Sequence, residues 1–209
     1  MKRLSLSCRS IPWPTSKDRL FKEDSDWWHN ARIDLGGKGW ESYAAGYKEA
    51  GDLLARRFLK TCHGNDILTY PMVFLYRHYL ELRLKQLIIF GQKALNEPTA
   101  SRQKLSENHE LLELWKSCRE ILGKLADKRF WPRDPVSRLV GVGMLIGEFY
   151  KKDPRGTNFR YPVTKMNQGG QPTLPQLNCV GVRNLYKAMQ RLDSFFGAHI
   201  AGIQHSPSG

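Results

Sequence analysis

The twenty residues from Pro71 to Phe90, PMVFLYRHYLELRLKQLIIF, constrain the fold more than any other part of the chain. Thirteen of them are apolar, and on a helical wheel they leave one concentrated polar stripe. A helix that is apolar on nearly every side belongs in the middle of a helical bundle. Pro71 suits the first turn of such a helix, and Gly91 is a natural stop. The stretch therefore predicts a central helix over residues 71–90.

The polar stripe of this helix falls within an arc of about 100° and consists of Arg77, His78, Glu81 and Lys85. Unpaired charges on a buried helix cost several kcal/mol, so the stripe needs partners. One interpretation is a ladder in which Glu81 pairs with Arg77 and Lys85, one turn away on either side. Another is a groove in which Arg77, His78 and Lys85 meet a phosphate or an acidic partner. A third is an exposed face without a role.

Apolar residues at helical spacing predict further helices on both sides of the central one, over residues 41–60, 109–128, 135–150 and 179–203. Asp134 is the expected N-cap of the helix that Pro135 opens. Gly141, Gly143 and Gly147 weaken that helix, so we expect them to allow close approach of a neighbour. The pattern indicates an all-α, up-and-down bundle of four to five helices.

Three segments lie outside the predicted helices. Residues 1–40 hold four of the six tryptophans among prolines and charges, and we expect an irregular arm that packs on the bundle or on a second subunit. Residues 151–178 carry four prolines and three glycines and form a long loop before the last helix, of a kind that is often functional. The predicted organisation is an arm over 1–40, a helical domain over 41–203 and a frayed tail over 204–209.

The chain is strongly basic. Thirty-three Lys and Arg against twenty Asp and Glu give a net charge of +13, which favours a polyanionic partner. The four cysteines lie far apart without metal-ligand spacing, so we predict reduced thiols in a cytoplasmic protein, with no metal and no other cofactor. No run of eighteen apolar residues occurs, and no membrane partner is expected. Phosphate loops and the common hydrolase motifs are also missing from the sequence.

Four segments occur in a recognisable order across residues 41–203: GYKEAGDLLARRFL, LYRHYLELRLKQLI, HELLELW and FRYP. In this order they resemble the HEPN superfamily, in the branch with an aromatic-rich second helix, an HxLxxLW third helix and an RYP turn. The resemblance implies a compact bundle that forms a homodimer. It also implies a place in a bacterial toxin–antitoxin, abortive-infection or anti-phage system. Many members are metal-independent endoribonucleases, and others bind nucleotides or act as non-catalytic partners.

Catalytic members of that superfamily place a histidine four to six residues beyond an arginine and a polar residue, and this chain departs from the pattern. Arg183 is followed by Asn184, but no histidine stands at 188–190, and seven residues separate Arg191 from His199. Two other pairs match by spacing alone: Arg57 with His63, and Arg102 with His109.

Two further candidates complete the predicted site. His109 begins the third helix, where it either satisfies the turn or faces the polar stripe. Arg160 and Tyr161 either form a turn in which Arg160 pairs with Glu81, or cradle a phosphate and a stacked base. His78 is either a hydrogen-bonded core residue or a base.

The favoured function is therefore RNA or nucleotide binding without turnover. Arg77, Lys85 and Arg160 would hold phosphate, Tyr161 would stack on a base, and Glu81 would orient the cations. The first alternative is a metal-independent endoribonuclease, with His109 or His78 as acid or base and Arg77 or Arg102 at the phosphate. The second is a non-catalytic protein partner, such as an antitoxin or adaptor, in which the stripe is architectural.

Overall fold

The computed structural model describes residues 13–33, 39–61, 64–98, 102–128, 133–164 and 169–205. The chain divides into two compact units, Met1–Leu35 and Gly36–Gly209. Helices dominate the described residues, and the prediction of an all-α bundle is confirmed. The described ranges hold six α-helices rather than four or five, because a short helix precedes the predicted third one.

The helices of the second unit have the following bounds: α1 Gly39–Thr61, α2 Thr69–Ala94, α3 Arg102–Glu107, α4 Leu111–Asp127, α5 Val136–Lys152 and α6 Val182–His205. α2 lies at the centre, packed against α1, α4 and α6, as its all-round apolar surface predicted. α5 packs mainly on α4. None of the helices in the described part of the chain is long and apolar enough to span a membrane.

Gly91 does not end the central helix, which continues to Ala94. A Cβ atom at Gly91 would overlap the side chain of Ile121 on α4. The glycine therefore allows α4 to approach α2 closely. This packing function explains why the prediction of a stop at Gly91 was wrong.

The start of α5 also differs from the prediction. Asp134 makes no cap and lies buried, where its carboxylate contacts His199 on α6 and Arg138. Of the three glycines of α5, only Gly143 faces a close neighbour, since a Cβ there would lie 2.9 Å from Trp115 Nε1. Gly141 and Gly147 have nothing within 4 Å, so for these two the prediction of close approach was wrong.

The long loop before α6 is confirmed as non-helical from Asp153 to Gly181 in its described residues, and Val163 and Pro172 form an isolated antiparallel bridge within it. α6 runs through His205, and the rest of the predicted tail lies outside the described residues.

In the first unit, Trp27–His29 form a short 3-10 helix, and Asn30 exchanges side-chain hydrogen bonds with the backbone of Asp24. Trp40, which we assigned to the arm, belongs to α1. Packing of the arm on the bundle stays a prediction.

Candidate functional site

Arg77 lies in the first half of α2 with only 1% of its surface exposed. Its guanidinium donates four hydrogen bonds. Nη1 donates to Glu81 Oε2 at 2.8 Å, and Nε donates to the carbonyl oxygen of Asp153 at 3.0 Å. Nη2 donates to the carbonyl oxygens of His109 at 2.7 Å and Pro154 at 3.0 Å. Arg77 therefore ties two irregular segments, one before α4 and one after α5, to the central helix.

Glu81 is the common acceptor of this cluster and is 2% exposed. Its Oε1 accepts from Lys85 Nζ and contacts His109 Nδ1, each at 2.8 Å. Lys85, also 2% exposed, has the carbonyl oxygen of Ser106 as a second acceptor at 3.3 Å. Burial acts to raise the pKa of Glu81, but Lys85, His109 and Arg77 together lower it below its usual value. Glu81 is thus a buried anion held by three donors.

Arg77, Glu81 and Lys85, which we call the ladder, are sealed from solvent and satisfy one another. This geometry favours the structural interpretation of the polar stripe over the groove. A phosphate in direct contact with Arg77 or Lys85 would have to displace these hydrogen bonds. The ladder therefore positions other groups more readily than it binds a ligand itself.

His109 contacts the ladder and also reaches solvent, with 56% of its side chain exposed. Because Nδ1 faces the carboxylate of Glu81, that nitrogen carries the proton, and Nε2 is left towards solvent. The adjacent turn is held by Asn108, whose side-chain oxygen accepts from the backbone N–H of Glu110. Of the two interpretations of His109, the structure shows the contact with the polar stripe, and a role of His109 as a site residue stays a prediction.

Arg160 does not pair with Glu81, contrary to one of our two interpretations. Its guanidinium lies 5.5 Å from the ring centroid of Phe74 and 5.6 Å from that of Tyr161. Arg160 is exposed, Tyr161 is 57% exposed, and Arg160 has no carboxylate partner among the described residues. Stacking on two rings leaves the N–H edges of the guanidinium available to an anion.

His78, the fourth residue of the polar stripe, is not part of the ladder and lies among aromatic rings. It stacks on Phe74 with the ring centroids 6.0 Å apart and meets Tyr47 of α1 edge-on at 4.4 Å. Burial lowers the pKa of His78. The charge of Glu81 opposes this effect, whereas the charges of Arg77, Lys85 and His109 add to it. We call His78, Phe74, His109, Arg160 and Tyr161 the outer face.

The loop that carries Arg160 is fixed by Asp153 and Gly156. Asp153 is buried, and its Oδ1 accepts the backbone N–H groups of Thr157 and Asn158. Gly156 has φ +73°, and a Cβ there would lie 2.9 Å from Arg77 Nη1. Only glycine allows the chain to pass so close to the guanidinium in this conformation.

A second polar cluster, which we did not predict from the sequence, lies between α1, α2 and α6, and we call it the Asp52 network. Asp52 accepts from Lys48 Nζ and Tyr76 OH, each at 2.8 Å, and from Gln190 Nε2 at 3.1 Å. Tyr79 OH donates to Asp193 at 2.5 Å. Lys48 and Asp52 at i,i+4 on an otherwise apolar face were the available signal.

On α6, Arg191 and His199, which miss the HEPN spacing, do not form an open site. His199 is buried, with Nε2 2.7 Å from Asp134 Oδ2 and Nδ1 2.7 Å from the carbonyl oxygen of Phe195. Arg191 is exposed, so these two residues belong to different environments. His63 and the side chain of Arg102 lie outside the described residues.

A metal-binding arrangement occurs once in the part of the chain that the structure describes. Asp24, Asp26 and His29 in the first unit offer ligand atoms within 4.8 Å of one another. All three are exposed, and exposed acidic groups often lie together without an ion. This arrangement carries no metal assignment.

Comparison with known proteins adds no relative: no family model, no curated protein and no solved structure matches this chain. The resemblance to the HEPN superfamily therefore rests on the residues quoted above and stays a prediction.

Proposed function

We propose that this protein binds RNA or a nucleotide, without turnover, on the outer face, in the role that the HEPN resemblance implies for a bacterial defence or toxin–antitoxin protein. The observation that carries the proposal is Arg160, an exposed cation stacked on two aromatic rings without an acidic partner among the described residues. A nucleotide combines the two complementary features, a phosphate for the guanidinium and a base for the exposed ring of Tyr161.

The ladder supports this function from inside. Arg77 holds the carbonyl groups of the two segments that carry His109 and the Arg160 loop, and Glu81 orients the His109 imidazole. Preorganised contacts of this kind reduce the entropy that a ligand must overcome on binding. In this proposal Arg77, Glu81 and Lys85 position the site, while His109, Arg160 and Tyr161 contact the ligand.

The test is fluorescence anisotropy with a labelled single-stranded RNA and, separately, with ATP at low salt. Stacking of a base contributes about 1–3 kcal/mol, so Tyr161→Ala should weaken binding by about 5- to 100-fold and Tyr161→Phe much less. Arg160→Ala should weaken it similarly. Arg155→Ala is the matched control, because Arg155 is an exposed cation in the same loop. Absence of binding at low salt, or equal effects of the two arginine substitutions, would contradict the proposal.

A second candidate function, metal-independent RNA cleavage, is favoured by the contact between His109 and Glu81. A buried carboxylate that fixes the tautomer of an exposed imidazole is the arrangement that a general acid or base requires. Wild type, His109→Gln and His78→Phe should be incubated with total RNA in EDTA. Cleavage that His109→Gln abolishes supports this function, and intact RNA with wild type rules it out. Stoichiometric co-purification of one protein, without RNA binding, would instead favour an adaptor.

A further inference from the structure

One exposed face of α6 carries three cations in a row, Arg183, Lys187 and Arg191, at i,i+4 spacing. None of the three makes an ion pair with another described residue, although ion pairs occur elsewhere on the same helical unit. The one acidic residue of α6, Asp193, accepts the hydroxyl of Tyr79 instead. We call these three residues the α6 stripe.

The α6 stripe is unfavourable for the helix that carries it. Like charges one turn apart repel each other. Arg183 also stands in the first turn, where the partial positive charge of the helix terminus disfavours a cation, and no acidic residue compensates there. An anion along this face would relieve both effects.

The C-terminal turn of α1 carries a further exposed cation, Lys60. Two contacts show that α1 and α6 run antiparallel: Lys48 with Asp193 at 3.9 Å, and Gln190 with Asp52 at 3.1 Å. Lys60, in the last turn of α1, therefore lies at the end of α6 that begins with Arg183. Both helices therefore carry an exposed cation at this end.

The chemistry of the α6 stripe fits a nucleic-acid backbone better than a protein. Protein interfaces have an apolar centre, and the described, exposed positions of α6 include no large hydrophobic side chain. Successive cations lie about 6 Å apart along the axis, from the rise of an α-helix. Such a row neutralises consecutive phosphates without reading bases.

We propose that the α6 stripe binds the phosphate backbone of RNA, independently of sequence. For its ligand the inference rests on the proposed function, since one strand would contact both the outer face and this helix. The stripe would supply the salt-dependent part of the affinity, and the outer face would supply the stacking.

The test compares two triple substitutions that remove the same charge. R183Q/K187Q/R191Q removes the α6 stripe. K116Q/R119Q/K124Q removes three exposed cations of α4, where Glu113 and Glu120 are interspersed and Lys124 pairs with Glu97. Anisotropy titrations with single-stranded RNA are run from about 50 to 300 mM NaCl, a range over which phosphate contacts are strongly screened.

The α6 triple variant should flatten the plot of log K against log salt by about 2, since each phosphate contact on a single strand contributes about 0.7 to the slope. The α4 triple variant should leave the slope close to wild type. Its thermal midpoint should stay near wild type, while that of the α6 triple variant should not fall, because repulsion is relieved.

Equal slopes for the two triple variants, or an unchanged slope for the α6 variant, would overturn the inference. Arg160→Ala separates this result from the proposed function. Loss of affinity with Arg160→Ala but not with the α6 variant leaves the outer face and removes the stripe. The reverse result keeps the stripe and removes the outer face.

Discussion

The ladder and the Asp52 network are both buried polar clusters on α2, but they join different parts of the molecule. The Asp52 network connects side chains of three helices, through Lys48, Tyr76 and Gln190. The ladder instead uses Arg77 to bind backbone carbonyl groups of irregular segments. The first arrangement sets the positions of three helices relative to one another, and the second holds loops that carry exposed residues.

This difference separates architecture from the candidate function. Removing the Asp52 network should loosen the bundle without a specific effect on the outer face. Removing the ladder should both destabilise the bundle and disturb the outer face. Unfolding by urea measures the free energy that each cluster contributes to stability, and so ranks the two.

Arg77→Ala should have the largest effect, a loss of about 3–5 kcal/mol, because it leaves the Glu81 anion and several carbonyl groups buried with fewer partners. Arg77→Lys should recover little, since an ammonium group cannot reproduce the fork of the guanidinium. Arg83→Ala is the control on the same helix. Arg83 donates to Gln86, its side chain is 14% exposed, and the loss there should be about 1 kcal/mol. Similar losses at the two arginines would remove the special role of the ladder.

Asp52→Ala should cost less, about 2–3 kcal/mol, because Lys48 is left buried but lies 3.9 Å from Asp193 and keeps a partial partner. Tyr76→Phe removes one hydrogen bond to the same carboxylate and should cost about 1 kcal/mol. RNA binding should persist in both variants under conditions where they are folded. A folded Asp52→Ala protein that no longer binds RNA would show that the two clusters are not separable.

Gly156→Ala should destabilise the protein by about 1–3 kcal/mol, because alanine is strained at φ +73° and its Cβ meets Arg77. Gly141→Ala is the matched control in open space on α5, and it should stabilise the helix by up to about 1 kcal/mol. Urea midpoints give both values. An unchanged midpoint for Gly156→Ala would mean that the loop shifts freely away from the ladder.

The smallest expected effect is on pH dependence. Burial lowers the pKa of His78 from 6.5, so the unfolded chain takes up this proton more readily than the folded one. The contribution of His78 is therefore fully present above pH 6.5 and is lost as the pH falls through its lower folded-state pKa. Between pH 7 and 5 the free energy of unfolding should therefore decrease. His78→Phe keeps the ring contacts and should remove this part of the slope, and an identical slope would contradict the assignment.

The sequence allowed the central helix and the ladder to be predicted, because i,i+4 pairs are local and follow from helical periodicity. It left open whether His109 satisfies the turn or faces the stripe, and the structure shows the contact with Glu81. The carbonyl partners of Arg77 could not be predicted, since Asp153 lies 76 residues away and a carbonyl group has no signature in the sequence. Asp134 was misassigned for a similar reason. Asp-Pro is typical of a helix start, but its carboxylate contacts His199, 65 residues away.

The charge pattern was predicted only in part. Between Lys116 and Lys165 the sequence holds twelve Lys and Arg against five Asp and Glu, so composition alone indicates a basic surface in that region. The structure shows that cations on α4 alternate with acids, whereas those on α6 stand alone. Local composition counts charges, but only the folded helix shows which of them share a face.

The four acceptors around Arg77 impose a mechanical consequence on this end of the molecule. One guanidinium binds the chain at His109 and again at Asp153 and Pro154, so both connections depend on the position of one side chain. Displacing that side chain would leave the carbonyl groups of both segments without this donor, at a cost in free energy. A partner that bound one segment and displaced the Arg77 side chain would therefore also change the contacts of the other segment.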